Sequence, residues 1–224
     1  MCENLLFFFT RVGSTKNVNI IETILNKVQN ERLIESNRFR DHTMVMNILN
    51  QYKLEMPQLW AQIEKQFNDA FFKPQNKSMM SGDQVTEILG IYAFEFARAG
   101  KGTIIWDEFK RFMRSRAESR AQLNLNSIAQ FSYVMVARNM SEDHQVWQYL
   151  SEQVKSQLNN RTLNPEDLDI ENICMIIGSF QSSGHLTPEL QSLILSKVTE
   201  VIQTLAIDEV ARLFATISRY ASTE

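Results

Sequence analysis

Leu59–Phe67 reads LWAQIEKQF, and its pattern returns at Ile105–Met113 as IWDEFKRFM and at Val146–Val154 as VWQYLSEQV. In each copy an apolar residue precedes a tryptophan, and further apolar residues follow three positions on and near the next turn. That spacing places them on one face of an α-helix. Trp60, Trp106 and Trp147 lie 46 and 41 residues apart, and a fourth copy, LQSLILSKV, starts 43 residues later with Leu190 in the tryptophan's place. A recurrence of this length, built from helix pairs, marks a helical array in which each pair buries its apolar face on the next. The four positions Trp60, Trp106, Trp147 and Leu190 are the expected structural anchors of the repeat. A large ring there fills the wedge between two helices and the following pair, covering on the order of 200 Å².

Working outward, a second set of segments alternates with the first: MVMNILNQY from Met44, VTEILGIYAF from Val85, IAQFSYVMVA from Ile128, ICMIIGSFQS from Ile173 and VARLFATISR from Val210. Each begins soon after a polar start and carries apolar residues on a 3–4 rhythm. Ahead of them, Ile20, Ile21, Ile24, Leu25 and Val28 form the stripe of an amphipathic helix. Local signals punctuate the series. Arg38–Asp41 reads as a turn and Lys73–Met80 as a connection; Ser81 with Gln84 forms a capping box, and Gly100-Lys101-Gly102 is a break. Ser141 is a candidate N-cap, and Asn164-Pro165 and Thr187-Pro188 are cap-plus-first-turn signals. The expectation is ten helices in an all-α chain, an α-solenoid of about four to five helix-pair repeats with a period of roughly 40–46 residues. Residues 1–38 form an N-terminal segment and helix, and residues 39–224 a single continuous array. The last helix is an unpaired first member, so the array either ends there or leans on a partner.

Composition agrees with this. Seven Gly and four Pro among 224 residues favour long helices with short connections, and a hydrophobic fraction of 44% suffices for a continuous core. The formal net charge of −3 lacks the domain-wide basic footprint of a dedicated nucleic-acid binder. Two cysteines, Cys2 and Cys174, cannot build a disulfide framework, which points to a reducing compartment. The most apolar run, Leu5–Phe9, is too short to span a bilayer. From Asn4 to Ile21 there is no acidic residue while Arg11, Lys16, Ser14 and Thr15 are present, a pattern like an organellar presequence or else a first helix of the array.

Motifs for chemistry are few. ARAGKGTIIWDEF, from Ala97, has the Gly102, Ile104 and Glu108 of a calcium loop, but Ala97, Ala99 and Lys101 stand where oxygen ligands are needed. Gly100-Lys101-Gly102-Thr103 echoes a phosphate loop, yet Glu95 occupies the position of its first glycine. His42, His144 and His185 are far apart in sequence and give no local metal pattern. The expectation is therefore a non-enzyme with no cofactor, no metal and no membrane span. One charge cluster stands out: Arg98, Lys101, Lys110, Arg111, Arg114, Arg116 and Arg120 lie close in an otherwise acidic chain. Lys110 and Arg114 share a helical face, with Arg111 beside them, while Trp106, Phe109 and Met113 face the core. Such a ridge at 110–120 could follow an RNA backbone or meet an acidic protein surface.

The helix segments with their lead-ins, DQVTEILGIYAFEFARAG, NSIAQFSYVMVARNM, DIENICMIIGSFQSSG and AIDEVARLFATISRY, resemble the degenerate helical repeats of organellar RNA-metabolism proteins, the FAST-kinase-like, RAP-domain and octotricopeptide-like group. The resemblance spans about residues 40 to 221. It implies an all-helical solenoid in mitochondria, acting on RNA or as a subunit of a ribosome or respiratory assembly; otherwise the cytoplasm is the expected location. No RAP-type α/β module follows the repeats, and the chain is acidic. Both departures favour a non-catalytic scaffold or adaptor whose partners are other protein subunits, with RNA binding as the alternative.

Overall fold

The computed structural model describes residues 18–31, 39–71, 81–160, 169–202 and 205–221. Among these, ten α-helices follow one another: α1 Val18–Asn30, α2 Phe39–Gln51, α3 Pro57–Phe71, α4 Gly82–Ala99, α5 Ile105–Ser119, α6 Leu125–Ala137, α7 His144–Leu158, α8 Ile170–Ser182, α9 Pro188–Val201 and α10 Ile207–Ala221. The fold is all-α. The chain divides into two compact units, residues 1–109 and 110–224.

In unit 1, α1 packs on α3, and α2 packs on both α3 and α4. Its core is aromatic. Phe67 stacks on Phe71 and on Tyr92, with ring centroids 4.7 and 3.9 Å apart, and Phe39 meets Phe67, Phe71 and Tyr92 edge-on. These contacts correct one boundary. Phe39, Arg40 and Asp41 belong to the first turn of α2, not to a turn before it, because the Phe39 ring reaches this cluster from a helical position.

In unit 2, α6 packs on α7 and α8, α8 on α10, and α7 on α9. First members of the pairs thus lie against first members, and second against second. The anchor residues are core residues: Trp60, Trp106, Trp147 and Leu190 are all buried. One packing device recurs in both units. Trp60 of α3 lies 5.3 Å from Phe96 of α4, and Trp147 of α7 lies 5.1 Å from Phe180 of α8. In each case the tryptophan of a second-member helix fills the space against a phenylalanine of the next helix pair.

Side-chain caps set four of the ten helix starts among the described residues. Ser81 and Gln84 form the reciprocal capping box, Asn124 caps α6 through the Ser127 amide, and Thr187 caps α9 ahead of Pro188. Two starts differ from expectation. Helix α7 begins at His144, and its N-cap position is Asp143 without a capping side-chain bond, not Ser141, because the Asp143 carboxylate is held by Arg114 at 3.0 Å. Helix α8 is capped by Asp169, whose carboxylate accepts the Glu171 and Asn172 amides. The Asn164-Pro165 signal, the Lys73–Met80 connection and the presequence-like residues up to Asn17 lie outside the described residues. Among the described residues no helix is long and apolar enough to cross a membrane.

Candidate functional site

The loop AGKGTII does gather backbone amides around an anion, and that anion belongs to the protein. Glu64 of α3 is buried, and its carboxylate accepts the amides of Thr103, Ile104 and Ile105 at 2.6, 2.8 and 3.3 Å. These N–H groups open α5, where the helix leaves them without intrahelical acceptors and the dipole favours negative charge. The two glycines make this geometry possible. Gly100 and Gly102 take φ of 63° and 85°, which ends α4 and turns the chain into α5. At Gly102 a Cβ would stand 3.1 Å from Ile105, 3.2 Å from Trp106 and 3.3 Å from Phe96. The Trp106 indole N–H then donates to the Gly102 carbonyl at 2.8 Å. The calcium-loop and phosphate-loop echoes thus come from a helix N-terminus that a remote glutamate closes.

Other polar groups follow the same logic. Glu95, which occupies the would-be phosphate-loop glycine, is buried and accepts the Asn50 amide at 2.6 Å and Arg98 at 3.3 Å. In unit 2 the row Tyr149, Gln153 and Gln157 on α7 grips the connection between α5 and α6. Tyr149 Oη donates to the Ala121 carbonyl, Gln153 Oε1 accepts the Leu123 amide at 2.9 Å, and Gln157 Nε2 donates to the Leu123 carbonyl at 2.8 Å. Burial pushes the Tyr149 phenol up to about 12, against the lowering influence of the Arg116 guanidinium.

The basic residues are distributed as follows. Arg98 and Lys101 lie in unit 1, Arg98 bound to Glu95 and Lys101 to Glu55 at 3.1 Å. Lys110, Arg111, Arg114, Arg116 and Arg120 lie in unit 2. The core face of α5 is Ile105, Trp106, Phe109 and Met113, all buried, so Lys110, Arg111 and Arg114 emerge on the exposed side. Arg114 is engaged by Asp143. Arg116 is half-buried, its guanidinium 5.1 Å from the Phe112 ring centre. Arg120 is exposed and sits in the left-handed region, with φ of 49°, just past the end of α5.

Histidines distant in sequence meet in unit 2. His185 stacks on Trp147 with centroids 5.1 Å apart, and meets His144 edge-on at 5.3 Å. Its Nε2–H donates to the Ser141 carbonyl at 2.9 Å, which ties the loop after α8 to the turn before α7. In unit 1, His42 is fully buried with Nδ1 2.6 Å from the Tyr92 hydroxyl. Among the described residues no group of three His, Cys, Asp or Glu is placed to hold a metal ion. Cys174 is a half-buried free thiol on an open cavity of about 840 Å³ between α8 and α10, and burial raises its pKa.

No known family's model matches the chain, and no curated protein is significantly similar to it.

Proposed function

We propose that the chain is a non-catalytic helical-repeat scaffold that binds other proteins within a large mitochondrial assembly. The observation that carries this reading is that polar side chains at several interior positions are held by bonds within the chain. Glu64 closes a helix N-terminus, Glu95 holds Asn50 and Arg98, and Gln153 and Gln157 hold the two peptide groups that flank Leu123. Such bonds hold helices and connections in place, as an array built for surface contacts requires. The recurrence of the Trp–Phe packing in both units supports the repeat. The mitochondrial location rests on the resemblance to organellar helical repeats and on the acid-free N-terminal stretch. Purification of the endogenous protein under native conditions, followed by cross-linking and mass spectrometry, tests the reading. Reproducible cross-links to a defined set of other subunits are expected; a lone monomer without cross-linked partners would contradict it.

The exposed placement of Lys110, Arg111 and Arg120 favours a second reading, RNA binding along this side of α5. Reversal of these three residues to glutamate should then weaken RNA affinity and flatten its salt dependence. Arg116 is unsuited to that test, because it packs over Phe112.

A further inference from the structure

Helix α10 repeats the register of α6 and α8 but not their burial. Ile207, Val210 and Phe214 align with Ile170, Ile173 and Ile177 of α8, and with Leu125, Ile128 and Ser132 of α6. All six of those equivalents are buried. In α10, Ile207 is 90% exposed, Phe214 is 60% exposed, and Ala211 is exposed beside a half-buried Val210. Ile207, Val210, Ala211 and Phe214 stand at i, i+3, i+4 and i+7, so they form one continuous apolar stripe about 10 Å long. The helix packs on α8, with Leu213 buried. The stripe is therefore a core face in composition and register that remains at the surface.

The surrounding charge says what suits it. Of the 64 residues from Arg161 onward, nine are Asp or Glu and four are Lys or Arg, a stronger acidic excess than in the chain as a whole. From the cap of α8 to the end of α10, Asp169, Glu171, Glu189, Glu200, Asp208 and Glu209 outnumber the basic residues Lys197, Arg212 and Arg219, and Glu189 is paired with Lys155 of α7. Lys197 is bound by Glu200, and Arg212 by Glu171 and Asp208, so these two cations are already engaged. An acidic surface repels RNA, an anionic lipid surface and the same face of a second copy. It attracts a basic one.

We propose that the stripe Ile207, Val210, Ala211 and Phe214 docks an amphipathic helix of another protein, one that carries Lys or Arg beside its apolar row. The proposal rests on the scaffold reading and names the chemistry of one partner. The partner helix lays apolar anchors on a 3–4 rhythm into the row, as the following helix of a repeat would, and its basic flank meets Asp208 and its acidic neighbours.

The test places a photo-reactive benzoyl-phenylalanine at position 214 of the full chain in its native cells, and sequences the cross-linked peptide. The expected product joins position 214 to a segment of another protein with apolar residues at i, i+3 or i+4 and i+7 and at least two Lys or Arg beside them. Ile207→Glu should cut its yield about tenfold or more, as loss of an interface anchor does. Helical content by circular dichroism should be unchanged, since Ile207 is exposed. Cross-links to a second copy, to another part of the same chain, to lipid, to RNA or to an acidic segment would overturn the proposal, as would none at all. If the protein still migrates in a large protein particle when that happens, the docking face fails and the scaffold reading stands. If it migrates alone, both fail.

Discussion

Replacing Glu64 is the perturbation with the most calculable result. Its carboxylate takes three amides at the start of α5, two of them at 2.6 and 2.8 Å, and the Thr103 hydroxyl at 3.4 Å. A hydrogen bond to a charged acceptor contributes about 1.5–3 kcal/mol, and a favourable charge at a partly buried helix terminus up to about 2 kcal/mol. Thr103 and Ile104 are exposed, so water satisfies part of what Glu64→Ala releases, whereas the Ile105 amide is buried. The net cost of Glu64→Ala is therefore about 3 kcal/mol, a large share of the 5–15 kcal/mol typical of a folded domain. Glu64→Gln keeps an acceptor oxygen in place and loses the charge, for a cost of about 1–2 kcal/mol. Urea unfolding at pH 7 reads both, with hydrogen exchange of the Thr103–Ile105 amides as the local readout. At a slope of about 2–3 kcal/mol per molar urea, the alanine variant's midpoint falls by about 1 M. Equal stability of Glu64→Ala and the parent, or an equal loss in the glutamine variant, would refute the capping argument.

Four further outcomes are expected. Gly102→Ala should cost more than Gly100→Ala, by about 1 kcal/mol or more, because both have positive φ but only Gly102 has neighbours within 3.3 Å of a new Cβ; thermal unfolding of the pair decides this. Stability should fall in alkali. The Tyr149 and Tyr92 phenols are both raised in the folded state by burial, so their contribution is complete below the unfolded value near 10 and is lost as pH rises through the folded values, about 12 for Tyr149; the Tyr149→Phe variant should show a shallower decline between about pH 10 and 12. Cys174, whose thiol burial raises, should react with iodoacetamide more slowly at pH 7.5 than a model thiol, and unfolding in urea should remove the difference. Reversing Lys110 and Arg111 to glutamate should move stability by no more than about 0.5 kcal/mol each, by urea titration, since both side chains are exposed.

The helices were legible because apolar spacing depends only on local geometry. The segments at Trp60, Trp106 and Trp147 lie where their rhythm places them, and the Ser81 capping box and the Thr187-Pro188 start need only nearby residues. Local signals are overridden where a distant residue intervenes: Arg114 takes the carboxylate of Asp143 at the start of α7, and a remote aromatic cluster draws Phe39 into α2. The same reason hid the polar clamps. Glu64 is 39 residues from Thr103, and on a helix its position looks like any solvated carboxylate. Gln153 and Gln157 resemble composition bias until Leu123 is brought between them. An available signal was the Gly-x-Gly loop without ligands of its own, which implies that another element supplies the anion. The apolar row of α10 is visible in its sequence rhythm, whereas its exposure depends on tertiary packing.

The role proposed for this chain is that of a scaffold among proteins. Its most direct test is density-gradient sedimentation of the endogenous protein from a mitochondrial lysate, with and without RNase. Migration in a large particle that survives RNase is predicted. Migration as a free chain of 26.0 kDa, or a shift to light fractions after RNase, would contradict it.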